Sequence, residues 1–252
     1  MNILLVEPDY RSKFPPLGLM RISTFHKQRG DHVSFVRGKS KEHRSQPWDR
    51  IYVSSLFTYE LPRTIDTIAY YHNSITNPEQ NIIVGGIGAT LLPRYITQRV
   101  KCNVITGSLD APNLLGLGEN PVSEYIPDYK IISSMSDRCN PKDAYFVRVS
   151  KGCIRKCKFC AVPILEPTFG YLQDIQTQID AVNRSINDEL TNLVILDNNI
   201  LALDCISQVI NDIEHAGFHR GAKLNRHHRF VDFNQGIDAR LVTNDIASLL
   251  SR

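Results

Sequence analysis

Short apolar runs alternate with amphipathic stretches along the whole chain. "NILLVEP", Asn2 to Pro8, is a continuous apolar run closed by Pro8 and Asp9, the pattern of a buried strand. Leu17, Met20, Ile22 and Phe25 then fall on one helical face, and Gly30 supplies a helix stop. "HVSFVRG" predicts a second strand and Arg50 to Tyr59 a third. "LPRTIDTIAYYHNSI" predicts a helix, Asn81 to Pro93 opens as a buried strand, and Cys102 to Ser108 completes the series. Strands alternating with helices imply parallel β-α-β units, hence an α/β domain with an open doubly wound sheet of the Rossmann-like or flavodoxin-like kind. Such sheets bind ligands at the carboxyl ends of their strands. Those ends carry Glu7-Pro8-Asp9, Ser54-Ser55-Leu56 and Gly85-Gly86.

The periodicity breaks down from residue 110 to about residue 143. "DAPNLLGLGENPVSEYIPDY" holds three prolines and two glycines, which argues for a linker packed on the surface. It separates a domain over 1–109 from one over 144–252. The second domain starts with "AYFVRVSKGC", a strand running into a cysteine cluster. Tyr171 to Asn187 predicts an amphipathic helix with Leu172, Ile175, Ile179, Val182 and Ile186 on one face. Asn192 to Ile200 reads as a strand, Cys205 to Gly217 as a helix and Phe230 to Leu241 as another strand, before a helix begins at Asn244. A full eight-unit barrel takes ~250 residues, so this region is expected to be a partial (β/α) barrel of about three units.

Composition narrows the function classes. Hydrophobic content of 42% and charged content of 22% fit a soluble globular protein. A formal charge of +3 is too near neutral to imply a nucleic-acid partner. The most basic stretch, "FHRGAKLNRHHRF" from Phe218 to Phe230, reads as a solvated loop. No apolar run approaches the ~18 residues of a membrane span, and "MNILLVEPDY" lacks the charged start and cleavage site of a signal peptide. A cytoplasmic location is therefore expected, where clustered cysteines serve as metal ligands or redox groups rather than disulfides.

Three of the six cysteines stand in "VSKGCIRKCKFCAVP" at C-x3-C-x2-C spacing. Arg155, Lys156 and Lys158 make the segment electropositive and solvated, which favours thiolates over inert buried thiols. Structural zinc needs a fourth ligand, and Cys102, Cys139 and Cys205 offer one only at uncustomary spacings. A redox pair of Cys157 and Cys160 leaves Cys153 unexplained. An iron–sulfur cube held by three thiolates, with one iron left open, fits best. The zinc and redox readings stay open.

The spacing resembles the signature of the radical S-adenosylmethionine enzymes, and further features are similar to that family. The triad follows a strand, Phe159 precedes the third cysteine, and "VILDNNI" resembles the Asp-Asp/Asn turn of its second strand. "VDFNQGIDARL" resembles its third strand. The resemblance implies that Cys153, Cys157 and Cys160 ligate a 4Fe–4S cluster and that S-adenosylmethionine occupies the open iron. It implies Phe159 near the adenine and Asp197 and Asn198 near the amino group, with plain turn chemistry as the alternative for the last two. Gln235, Asp238 and Arg240 are further candidates, with a cross-strand ion pair as their alternative.

The first domain resembles the cobalamin-dependent branch of the same family through "PPLGLMRISTFHKQRGDHV" and "VGGIGATLLP". This implies cobalamin near Ser54, Ser55, Leu56, Gly85 and Gly86. The Asp-x-His-x-x-Gly motif is absent, since His26 and His32 do not sit in it, and Gly85-Gly86-x-Gly88 needs only a tight turn to explain it. A scaffold without cobalamin is the competing expectation. As an enzyme the chain would need an external electron donor and a small-molecule or peptide substrate. The unfinished barrel also allows a partner chain completing it, a non-catalytic remnant that binds only the cluster, or a zinc-binding structural protein.

Overall fold

Parallel strands covered on both faces need apolar side chains at every position rather than at alternate ones. β1 (Asn2–Glu7) meets that demand, with Ile3, Leu4, Leu5 and Val6 all fully buried. Each such side chain contributes ~1.5–3 kcal/mol, so this strand anchors the first sheet. The computed structural model of the chain describes residues 1–134 and 141–251. It divides into two compact units, Met1–Cys139 and Asn140–Arg252.

In the first unit β1 is joined by β2 (His32–Arg37), β3 (Arg50–Ser54), β4 (Ile82–Gly85) and β5 (Asn103–Val104). All pairs are parallel and the order is β2-β1-β3-β4-β5. This is the doubly wound α/β order in which the winding reverses between β1 and β3, opening a crevice at their carboxyl ends. The helix Leu17–Gln28 buries Leu19, Met20, Ile22 and Phe25, and the chain leaves it through Gly30 at φ +81°. Two strands are shorter than their apolar text. β3 stops at Ser54 because residues 58–60 form a 3-10 turn leading into the helix Leu61–Tyr71, and β5 is a short edge strand.

The proline-rich segment read as a linker belongs to the first unit up to residue 134. Leu115, Val122, Tyr129, Ile131 and Ile132 are buried. Thr24 Oγ1 donates to the Ile126 carbonyl at 2.6 Å, Ser23 Oγ to Asp128 at 2.7 Å, and Lys27 pairs with the same carboxylate. The prolines and glycines prevent regular structure there. The segment is instead tied to the helix Leu17–Gln28 and, through the Leu115 carbonyl and Arg50, to β3.

His26, one of the histidines weighed as a cobalt ligand, is fully buried. Its Nδ1 meets Asp31 at 2.7 Å and its Nε2 meets the Tyr52 hydroxyl at 3.0 Å. Burial lowers its pKa below the ordinary 6.5, and Arg50 and Arg29 act in the same direction against Asp31. In the window below 6.5 the unfolded chain binds a proton that the folded one resists. Stability is therefore full above 6.5 and falls as the pH drops through that value. Urea midpoints for the first unit should fall between about pH 7 and about pH 5.5. The dependence should flatten in His26→Gln; an unchanged slope would contradict this assignment.

The second unit holds β6 (Ala144–Val147), β7 (Ser150–Lys151), β8 (Gly170–Tyr171), β9 (Asn192–Ile195), β10 (Lys223–Leu224), β11 (His227–His228) and β12 (Val231–Phe233). β6, β9 and β12 form a parallel sheet in the order β12-β9-β6. β7 and β8 form an antiparallel pair, as do β10 and β11. The helix Ile175–Ile186 buries Ile175, Ile179 and Val182, and the helix Ile206–His215 buries Ile206, Val209, Ile210 and Ile213. Two expectations are corrected. Tyr171 and Leu172 precede the first of these helices, which starts where the Asp174 carboxylate accepts the Thr177 N–H at 2.7 Å. The strand expected over Phe230–Leu241 ends at Phe233, because Gly236 turns the chain at φ +80° and Asp238 caps the 3-10 turn Ala239–Leu241. No helix among the described residues is long and apolar enough to cross a membrane.

Candidate metal and cofactor centre

The segment leaving β6 is held from several sides before it reaches the first cysteine. Arg148 N–H donates to Gln178 Oε1 at 3.0 Å, and Gln178 returns a bond to the Arg148 carbonyl at 2.9 Å. Asp197, at the carboxyl end of β9, accepts the N–H groups of Val149 at 2.9 Å and Ser150 at 2.5 Å, together with the Ser150 hydroxyl. Burial pushes the Asp197 carboxyl up, and the Ser150 and Val149 donors and Arg148 pull it down. A buried carboxylate needs such compensation, so Asp197 and the 149–150 backbone specify each other.

Glu166 is the second anchor. It forms a two-pronged pair with Arg148, both contacts at 2.7 Å, and its Oε2 also accepts the Gly152 N–H at 2.7 Å and Asn198 Nδ2 at 3.1 Å. Gly152 sits at φ +71°, and a Cβ there would lie 2.3 Å from the Thr168 carbonyl oxygen. The residue before Cys153 must therefore be glycine on both conformational and packing grounds.

Beyond it, half-buried Cys153, Cys157 and Cys160 alternate with exposed Ile154, Lys156, Lys158 and Phe159. Cys160 N–H closes a turn onto the Cys157 carbonyl at 3.1 Å. Cys153 Sγ accepts the Arg155 N–H at 3.3 Å and Asn199 Nδ2 at 3.5 Å. Phe159 is 93% exposed. Among the described residues no three His, Cys, Asp or Glu side chains stand close enough together to hold one metal ion. The three thiols thus share a loop rather than a preformed cage. The donor set itself suits an iron–sulfur cluster: three cysteines on a solvated loop, one sulfur accepting two N–H groups.

Asp238 and Arg240 are brought to this loop from the turn after β12. Arg155 Nε donates to Asp238 at 3.0 Å, and Arg240 pairs with the same carboxylate at 2.7 Å. The Arg240 bond holds the Asp238 carboxyl well below its usual range. The bond to Asp238 in turn raises Arg240, with smaller contributions from Cys157 and Cys153. The pair is a tie between two loops, not the cross-strand pair expected for a continuous strand. Gln235 is exposed and bonds only to neighbouring Asn234 at 3.0 Å among the described contacts.

Cys102 packs against the core of the first unit, where burial pushes its thiol up to about 11. Cys205 is exposed at the start of a helix, and Cys139 lies outside the described residues. Asn199 and Glu166 carry no mark in the sequence. Asp197 and Asn198 were singled out, yet Asn199 is the one that reaches a cysteine.

In the first unit the structure brings the Ser54-Ser55-Leu56 and Gly85-Gly86 loops together. Ser55 N–H donates to the Gly85 carbonyl at 2.7 Å and Gly88 N–H to the Ser55 carbonyl at 2.8 Å. A Cβ on Gly86 would lie 2.6 Å from Ser55 O, and one on Gly88 would lie 2.7 Å from Ser55 Oγ. Packing against Ser55 therefore accounts for these glycines, and the Asp31 and Tyr52 contacts account for His26. Neither adds support for cobalamin beyond the topology of the sheet.

No family model matches the chain, and no curated protein sequence matches it. Solved structures do. One is the radical S-adenosylmethionine methyltransferase TsrM from Kitasatospora setae with tryptophan substrate and a SAM analog (aza-SAM) bound, at TM-score 0.58 and 13% identity. The match covers 85% of this chain and 51% of that one. Another is TsrM from the same organism with cobalamin and a [4Fe-4S] cluster bound, at TM-score 0.61 and 12% identity, covering 85% and 52%. The chain thus spans about half the length of the structures it matches. At this identity the likeness is one of fold: an α/β chain built like those structures over most of its own length.

Proposed function

We propose that the second unit binds a [4Fe–4S] cluster through Cys153, Cys157 and Cys160 and belongs to a radical S-adenosylmethionine enzyme. The observation that carries the reading is the C-x3-C-x2-C loop at the carboxyl end of β6, where barrel active sites lie. The fold likeness to TsrM supports it. When bound, the cluster and S-adenosylmethionine supply reductive cleavage of the sulfonium and a 5′-deoxyadenosyl radical.

The chain's own residues hold and orient that chemistry. Asp197 and Glu166 fix the backbone on which Cys153 begins, and Gly152 lets the loop pass Thr168. Phe159 offers an exposed ring to the adenine. Asn198, tied to Glu166, presents its remaining amide capacity beside the loop. The Asp238 bridge ties Arg155 of the cysteine loop to Arg240 of the turn after β12. A small-molecule or peptide substrate and an external one-electron donor complete the proposed reaction.

The first unit is proposed as a cobalamin-type module by topology alone, and no step of the reaction is routed through cobalamin. A second reading follows from the three-stranded sheet β12-β9-β6: the cluster binds here, while the substrate site needs further strands from a longer chain or a partner. Anaerobic reconstitution with iron and sulfide, followed by iron, sulfide and zinc analysis, tests the common core. A brown protein with iron and sulfide near four per chain is expected, and stoichiometric zinc without iron would sink both readings.

A further inference from the structure

Two N–H groups converge on Cys153 Sγ, from the Arg155 backbone at 3.3 Å and from Asn199 Nδ2 at 3.5 Å. No such donor reaches the sulfur of Cys157 or Cys160 among the described residues. Asn199 is 2% exposed, and its Oδ1 has no hydrogen-bond partner among the described residues. A buried amide oxygen without a partner costs ~1–3 kcal/mol. Turning the amide over would set that oxygen against a sulfur that, as a cluster ligand, only accepts. The chain keeps an expensive side chain in place, and among the described residues its side-chain bond is to a cysteine.

The geometry points to Asn199 as the residue that sets the reduction potential of the cluster, acting through Cys153. This rests on the cluster reading above. When a low-potential one-electron donor reduces the cluster, its sulfurs gain negative charge and no atom is transferred. An N–H···S bond strengthens with that charge, stabilises the reduced state and raises the potential. Asn199 is a positioning residue: it touches neither substrate nor open iron in this role.

The test is a dithionite titration of the reconstituted full chain, with redox mediators and electron-spin detection of the reduced cluster. Asn199→Leu keeps the size and removes the donor. At the wild-type midpoint its oxidised-to-reduced ratio should rise on the order of tenfold, ~59 mV for one electron. Asn199→Ser, which keeps a hydroxyl donor, should fall between. If the Leu variant loses its iron, the Ser variant decides alone against wild type. Wild-type midpoints in variants with full iron content would overturn the proposal while leaving the cluster reading intact. Failure of the wild-type chain to take up iron would instead overturn the cluster reading, and this inference with it.

Discussion

Replacing Cys153, Cys157 or Cys160 with Ala, one at a time, should abolish iron retention and the brown absorption of the reconstituted protein. A cube held by three protein thiolates has no spare ligand, so losing one leaves two irons open. Cys205→Ala should retain full iron, because that residue is exposed and stands at the start of a helix outside the loop. Cys102→Ala should also retain it, with a stability loss on the order of 1 kcal/mol from its partly buried place in the first unit. The measurement is iron per chain after gel filtration under anaerobic conditions. Full iron in any of the three loop variants would show that the ligand set is wrong.

The second large effect is expected at Gly152. In Gly152→Ala the new Cβ meets the Thr168 carbonyl oxygen at 2.3 Å and the Glu166 carbonyl oxygen at 3.1 Å, both backbone atoms. The φ of +71° adds strain of its own. Relief requires moving the segment that carries the Glu166 carboxylate, which bonds the Gly152 N–H, Asn198 and Arg148. A loss of ~2–4 kcal/mol in the second unit is expected, with weaker cluster retention. Gly236→Ala is the control. It has a similar φ of +80° but nothing within 4 Å of the added atom, so it should lose less. Equal midpoints for the two variants in urea would remove the packing argument.

What the text of the sequence reveals depends on the range of the interaction that decides each element. β1 is legible because a strand buried on both faces is an unbroken apolar run, and Ile3 to Val6 are all core. The strand after Phe230 was overextended because alternation continues past Phe233 while the turn at Gly236 is decided locally. That glycine was a readable signal. In the segment after residue 110 the prolines are visible, but the bonds that hold Ser123 and Ile126 come from a helix about a hundred residues earlier in the chain.

The site divides in the same way. Three cysteines at fixed spacing on one loop are a local pattern and can be read directly. Asp197 was legible as a residue at a strand end, but its oxygens go to the backbone of Val149 and Ser150, 47–48 positions away. Glu166 drew no attention, because nothing near it in sequence marks a carboxylate that ties Arg148, Gly152 and Asn198 together. Asn198 and Asn199 are the same residue type, and they differ in burial and in what each side chain reaches, which are three-dimensional facts.

The central claim is that the loop carries an iron–sulfur cluster with an iron open to S-adenosylmethionine. The most direct measurement is the electron-spin spectrum of the dithionite-reduced, reconstituted chain with and without S-adenosylmethionine. A [4Fe–4S] signal that changes when S-adenosylmethionine is added is expected if the cofactor takes the iron that three thiolates leave free. A colourless protein holding stoichiometric zinc, with no such signal under either condition, would contradict that claim.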